Sequence, residues 1–319
     1  MTRRPILALL LVAAASVAAP AAQQKGTLQI TLLGTGNPRP TMERFGPSIL
    51  VEAGGQRLLI DAGRGAAQRL FDIGAREALV GVTALFLTHL HSDHVVGLPD
   101  LWLTSWVFGR TKALEVVGPP GTTDMAGHLE KAFQWDITTR YKDEAYPLEG
   151  VRLAARDSQP GVVYEKDGLR VTAFAVDHGA VITPAYGYRI DYQGRSAAFS
   201  GDTKFFEPLA THAQGVDVLV HEVVSPEVEQ RRAQVQGAFA IERTIAHHAS
   251  PEQVGTIFSR VKPRLAVYSH IVPSPTTAED LIGPTRKTYT GPLAVGYDLM
   301  TIVIGETVEV HPRKTLGDK

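Results

Sequence analysis

Residues 88–99 read THLHSDHVVGLP, with three histidines and an aspartate within six positions, directly behind the apolar run ALFL. Polar groups at the end of a buried strand are costly unless something binds them. The spacing H-x-H-x-D-H sets His89 and His91 on one side of an extended segment, while Asp93 and His94 turn into the next helix. One run can therefore serve two metal ions. Imidazole suits zinc, and carboxylate oxygen makes room for a second divalent ion with open positions. Such a pair activates water at neutral pH and polarises the group under attack, so a hydrolase built this way needs no serine or cysteine nucleophile. The chain has no cysteine among its 319 residues. Any metal site must then use His, Asp and Glu, and no disulfide can form.

The elements that position these residues follow from the apolar pattern. Strand candidates are 28–34, 48–53, 56–62, 84–89, 114–118, 169–176, 185–192, 196–201, 216–222, 264–270 and 296–304, and the pair 185–192 and 196–201 forms a hairpin around Gln193-Gly194. Helical stretches are predicted over 63–74, 94–107, 121–135, 226–247, 251–260 and 277–288, with Ser250 before Pro251 and Glu252 reading as a helix start. The recurring feature is an apolar strand ending in a ligand-type residue: His89, Asp177 with His178, Asp202, His221 with Glu222, and His270. A buried histidine satisfied by one hydrogen bond explains one such end, not five. Loops at strand ends are where a scaffold mounts its chemistry, because the strand fixes position and the loop aims the groups.

Residues 1–22, MTRRPILALLLVAAASVAAPAA, place Arg3 and Arg4 before an apolar stretch and an A-x-A arrangement at Ala19 and Ala21. This is the layout of a signal peptide and predicts export to the periplasm or medium, with a single hydrolase domain over 23–319. A membrane anchor is the rival reading, although the apolar stretch is short for a span of about 20 residues. No later segment is long enough to cross a bilayer, so no stable membrane insertion is expected after cleavage. The 32 basic residues against 33 acidic ones leave a net charge of −1. That balance lacks the basic footprint of a nucleic-acid binder, so no nucleic-acid partner is expected.

The motifs LLGTGNP, LLIDAG, THLHSDHVVGLPD, VDHG, SGDT, VHEVV, HHAS and YSH, in that order, resemble the metallo-β-lactamase superfamily, in the branch that holds ribonuclease Z and a group of secreted arylsulfatases. The resemblance runs from about Thr27 to Val310. It implies an α/β fold, a four-layered αββα sandwich with a di-metal site at one edge between two sheets. It places one zinc on His89, His91 and His178 and a second on Asp93, His94 and His270, with Asp202 bridging both; Mn2+ or Fe2+ are substitutes the same donors accept. It further implies His248 as the general acid, oriented by Glu222, with His247 as its rival by one residue of register, and a homodimer. Asp61 is expected to hold a ligating histidine in the right tautomer. His128, His212, His221 and His311 are assigned structural or surface roles.

The substrate is argued from what surrounds the metals. Ribonuclease Z carries a long arm between its third histidine motif and the bridging aspartate, whereas here His178 and Asp202 are 24 positions apart and separated by a simple hairpin. With the signal peptide and the charge balance, this favours a small sulfate or phosphate ester, an arylsulfatase first, over a ribonuclease Z-type phosphodiesterase. The stretch GLPDLWLT resembles the arylsulfatase group. Trp102 and Trp106, four apart on one helical face, fit either core packing or an aromatic wall for an aryl leaving group.

Overall fold

A computed structural model describes residues 26–236, 241–312 and 315–317 of the chain. The predicted signal peptide, residues 1–22, lies outside the described residues. The chain opens with an antiparallel meander, β1 (Leu28–Gly34), β2 (Ser48–Ala53) and β3 (Gln56–Ile60), followed by α1 (Ala66–Val80) and β4 (Ala84–Phe86). Then come α2 (Ser92–Val95), α3 (Leu98–Val107), β5 (Leu114–Gly118), α4 (Thr122–Ala132), α5 (Gln134–Glu144) and β6 (Leu153–Asp157). The next run is β7 (Gly161–Lys166), β8 (Leu169–Val176), β9 (Ala185–Tyr192), β10 (Arg195–Phe199), α6 (Pro208–His212) and β11 (Val218–Val224). The chain continues through α7 (Pro226–Gln236), α8 (Ile241–His247), α9 (Pro251–Val261), β12 (Leu265–Val272) and α10 (Ala278–Thr285), and ends with β13 (Leu293–Val295), β14 (Met300–Ile304) and β15 (Val308–Pro312).

These strands form an eight-stranded sheet in the order β15-β14-β1-β2-β3-β4-β5-β6 and a seven-stranded sheet in the order β13-β12-β11-β10-β9-β8-β7. Side chains on the facing sides alternate inward and build one core between the sheets, from Leu28, Ile30, Val51 and Phe86 on one side and Val171, Ile190, Val220 and Val267 on the other. Burying each such side chain is worth about 1.5–3 kcal/mol relative to leaving it exposed. The outer face of the first sheet packs under α1 and α3 through Leu70, Leu101, Trp102 and Trp106. That of the second packs under α6, α9 and α10 through Leu209, Phe258 and Leu281. Helix, sheet, sheet and helix are thus the four layers of the α/β sandwich that the resemblance implies.

Several local expectations shift. Helix α1 runs past residue 74, but Gly74 and Ala75 leave helical geometry where the predicted helix stops, with Ala75 at φ 46°. The predicted helix over 94–107 is two helices, because α3 starts afresh after Gly97 with Pro99 in its first turn. Helix α5 and strands β6, β7, β13 and β15 escape the sequence pattern. Helix α5 has no buried residue, and exposed elements carry little apolar periodicity. Ser250 does open α9 with a capping box, its hydroxyl accepting from the Gln253 N–H while Gln253 caps the Ser250 N–H. Trp102 and Trp106 are fully buried, their indole N–H groups donating to Val151 O at 2.7 Å and Pro147 O at 2.9 Å. They are core, so the aromatic wall for an aryl leaving group is not there.

Candidate metal centre

Of the strand ends singled out in the sequence, His89, His178, Asp202, Glu222 and His270 point into one edge between the sheets, whereas His221 lies behind it and the Asp177 carboxylate pairs with Lys204 at 2.9 Å on the outside. His89 and His91 sit on the segment after β4, Asp93 and His94 in α2, His178 just beyond β8, Asp202 just beyond β10, and Glu222 and His270 within β11 and β12. His248 follows α8. Gly201 lets Asp202 in: it holds φ +60°, and a Cβ there would lie 2.4 Å from Tyr186 O. His270 enters by a different device. The β11–β12 register slips by one residue between His221 and Val223, and His270 takes φ 42° at the slip. A bulge of this kind re-aims a side chain out of the strand's alternation.

The atoms that converge form two groups. Nε2 of His89 lies 2.9 Å and Nε2 of His178 3.4 Å from Nδ1 of His91. Oδ2 of Asp93 lies 3.3 Å from Nε2 of His270 and 3.6 Å from Nε2 of His94. Oδ2 of Asp202 stands between the groups, 3.3 Å from both His94 and His270 and 3.8 Å from His178. Within each group the donor atoms lie within 4.8 Å of one another, so one ion could touch three of them.

The far side of most rings is already anchored. Nδ1 of His94 lies 2.8 Å from Asp61 Oδ2, Nδ1 of His89 lies 3.0 Å from Thr88 Oγ1, and Nδ1 of His178 lies 3.0 Å from the carbonyl of His247. Asp61 is held in turn by the N–H and hydroxyl of Thr88 at 2.8 and 2.9 Å. It adopts a left-handed φ of 59°, a strain of about 1–3 kcal/mol that persists only where the surroundings over-determine it. An anchored Nδ1 fixes the tautomer and leaves Nε2 as the inward lone pair.

Charge follows the same division. Burial holds His89 well below the ordinary imidazole range and leaves His178 at about 4, so both are neutral donors near pH 7. Burial opposes the charge on Asp202 as well, yet His270 and His94 beside it hold its carboxyl well below the usual range. Burial also disfavours a charged His94, but Asp202 and Asp61 outweigh it and push its pKa up. The cluster therefore favours positive charge at its centre. His94 Nε2 and Asp202 Oδ1 are buried without a hydrogen-bond partner among the described residues. Unsatisfied buried polar atoms are expensive, and this set of imidazole and carboxylate donors fits a pair of divalent ions.

Beside the cluster, Nδ1 of His248 lies 3.1 Å from Glu222 Oε2. Burial lowers the His248 pKa, but the Glu222 charge and hydrogen bond more than offset it and raise it to about 9. Glu222 is pinned by the N–H of Ala249 at 3.0 Å and of Thr203 at 3.4 Å. The His248 ring stands 5.2 Å from His178 and 5.6 Å from His270, centroid to centroid. His247 instead contributes its carbonyl to His178, a backbone role that residue type does not announce. His221 is buried behind the site, its Nδ1 2.7 Å from Glu222 O; His212 stacks on Phe174, and His128 and His311 are on the surface. Thr88 was also missed; its place before the first histidine is the one local signal that could have marked it.

A family model described as "Beta-lactamase superfamily domain" matches residues 56–271. The chain belongs to the metallo-β-lactamase superfamily. It is 36% identical over 292 residues to ribonuclease Z of Mycobacterium bovis, covering 90% of this chain and 100% of that protein. To ribonuclease Z of Mycobacterium marinum it is 34% identical over 293 residues, again 90% and 100%. The fold is shared with the short form of human tRNase Z, at TM-score 0.62 and 18% identity, covering 86% of this chain and 98% of that one. It is shared too with a metallo-β-lactamase fold protein of Bacillus subtilis, at TM-score 0.64 and 15% identity, covering 87% and 100%.

These relatives overturn one expectation. A small-molecule ester substrate with no nucleic-acid partner does not fit a chain whose full-length relatives are named for an RNA-cleaving enzyme, and none of them points to an arylsulfatase branch. The physical reason is that net charge is a sum over the whole surface, whereas a substrate at a metal centre is gripped locally. The short hairpin between His178 and Asp202, β9 to β10, reports on one insertion and not on the substrate.

Proposed function

We propose that this chain hydrolyses phosphodiester bonds in RNA as a two-metal enzyme of the ribonuclease Z type. The observation that carries this reading is the full-length likeness to mycobacterial ribonuclease Z, 36% identity with the whole of that protein covered. In this reading His89, His91 and His178 would hold one ion and Asp93, His94 and His270 the other, with Asp202 placed between the two groups. Zinc suits a thiolate-free set of imidazoles and carboxylates, with Mn2+ or Fe2+ as substitutes. Bound there, the ions would supply Lewis acidity and an activated water.

The chain's own residues do the rest. Asp61 and Thr88 hold His94 and His89 with their Nε2 atoms inward. His91 alone among these ligands is exposed, which opens the cluster to a long substrate. The ribose oxygen that departs from a phosphodiester is strongly basic, so a proton donor matters. His248, charged and aimed by Glu222, supplies that proton at Nε2. The test is turnover by the zinc-loaded protein of a fluorescent transfer RNA substrate, bis(4-nitrophenyl) phosphate and 4-nitrophenyl sulfate. Cleavage of the RNA and the diester is expected. Turnover of the sulfate with the RNA left intact would overturn the reading.

A further inference from the structure

Four of the ligand-type histidines are buried, His89, His94, His178 and His270, and the far sides of their rings are not treated alike. Nδ1 of His94 meets Asp61 Oδ2 at 2.8 Å, Nδ1 of His89 meets Thr88 Oγ1 at 3.0 Å, and Nδ1 of His178 meets the His247 carbonyl at 3.0 Å. Nδ1 of His270 has no hydrogen-bond partner among the described residues, although the residue is only 5% exposed. Its Nε2 is turned toward Asp93 and Asp202, 3.3 Å from each. For Nε2 to present a lone pair there, Nδ1 must carry the ring proton. A buried N–H without an acceptor is costly. The rings of His94 and His248 stack on His270 at centroid distances of 5.1 and 5.6 Å, and stacking supplies no acceptor.

His270 also lines a cavity of about 40 Å³. Asp202, Glu222 and Ser269 share its lining with Ile60 and Val220, which belong to the core between the sheets. His89, His91, Asp93 and His178 are not part of that lining, so the cavity lies on the core side of the donor groups. A water needs roughly 10–15 Å³ and two to four polar partners, and this space offers both. A ring nitrogen of His270 and a carboxylate oxygen of Glu222 lie within 4.8 Å of one another, with no direct hydrogen bond between them among those described. One bridging water spans such a gap. Three donors already reach the Glu222 carboxylate, the N–H groups of Ala249 and Thr203 and Nδ1 of His248, and a carboxylate accepts about four. Ser269 follows Val267 by two positions in β12, and Val267 belongs to the core between the sheets, so the Ser269 side chain faces the same space.

We propose that this cavity is the binding site of an ordered water that accepts from His270 Nδ1–H and donates to the Glu222 carboxylate, with the Ser269 hydroxyl as its third partner. The water does for His270 what Asp61 does for His94: it fixes the tautomer and keeps the Nε2 lone pair toward Asp93 and Asp202. Glu222 then positions two groups, the His248 proton donor directly and a metal ligand through water. This role rests on the two-metal reading of the donors and not on the substrate.

The experiment joins a high-resolution crystal structure and histidine-labelled NMR of the zinc-loaded protein to chelator competition on the parent, Ser269→Val, Glu222→Gln and Glu222→Leu. Density for a water within hydrogen-bond reach of His270 Nδ1 is expected, with a cross-peak between the Nδ1 proton and water. Ser269→Val exchanges the hydroxyl for methyl groups that fill the space, and one of the two ions should then bind about 10- to 100-fold more weakly while the other keeps its parent affinity. Glu222→Gln keeps a carbonyl acceptor and should hold both ions within about threefold of the parent, whereas Glu222→Leu should weaken the same ion as Ser269→Val. Ser269→Val tests the site even where Glu222→Leu folds poorly. Parent affinity for both ions in Ser269→Val, or both ions weakened together with a lowered thermal midpoint, would overturn the water's role. So would a well-ordered His270 ring with no water at Nδ1. A parent that binds a single ion would sink the two-metal reading instead, and the density at Nδ1 would then decide the water by itself.

Discussion

The two halves of the sandwich furnish the candidate centre in opposite ways. The first half delivers His89, His91, Asp93 and His94 from one six-residue run, braced by Asp61 and Thr88. The second half delivers His178, Asp202, Glu222, His248 and His270 one at a time, from ends and bulges of separate elements. The first set is positioned by local chain geometry, the second by strand register and by the packing of two sheets. A contiguous run keeps its mutual spacing whenever its strand and helix form. Dispersed residues meet only when the whole core is in place.

The most severe break in this contrast is Asp202→Ala, since Asp202 is the second half's contact with both donor groups. Loss of roughly four orders of magnitude in kcat/KM is expected, the scale of removing a central catalytic group. Elemental analysis should find at most one ion per chain. Two ions retained per chain would show that the contiguous half and its partners hold the metals without it.

Next in size is His248→Ala, with an expected loss of about 10²- to 10⁴-fold, the usual range for a general acid. Metal content should match the parent's. Across diesters whose leaving alcohols span several pKa units, the loss should grow as the alcohol becomes more basic. A loss equal for every leaving group would remove the proton-donor role. Glu222→Gln should cost less in the same direction, and the double variant little more than His248→Ala alone.

The first half is probed by Asp61→Asn, which weakens the brace on His94 without touching the inward lone pairs. Metal affinity measured by chelator competition should fall by about 10- to 100-fold, the usual effect of removing a supporting group behind a ligand. Parent affinity would mean that the run holds its own shape and needs no brace. The mildest change is His247→Ala. Its carbonyl, the group that anchors His178, survives the substitution, so kcat/KM should stay within about threefold of the parent. A loss as deep as that of His248→Ala would put the ring of His247, not its backbone, at the centre.

Much was legible in the sequence because it was periodic or contiguous. The inward faces of β1, β3, β8 and β11 alternate or run apolar, as burial between two sheets demands. The HLHSDH run declares its chemistry through residue type and spacing alone. Helix α5 and the edge strands β6 and β7 were silent because exposed elements carry no apolar stripe. The substrate was not legible, because total charge and one short hairpin are not local facts about the site.

By itself the sequence determined the donor inventory: a cysteine-free chain with histidine and carboxylate at successive strand ends must bind hard or borderline cations if it binds any. Its apolar runs also marked most of the buried strands, while the layered fold was implied by the family resemblance of the motifs and not by periodicity. Tertiary structure decided which histidine of the 247–248 pair meets Glu222, because the end of α8 sets that register. It decided that His270 turns inward, through a bulge that no local pattern encodes. It also decided that Asp298 holds Thr35 and Phe45 together from more than 250 positions away. Each is a contact between elements distant along the chain, and such contacts are selected only when the closing of the core brings their partners within a hydrogen bond's reach.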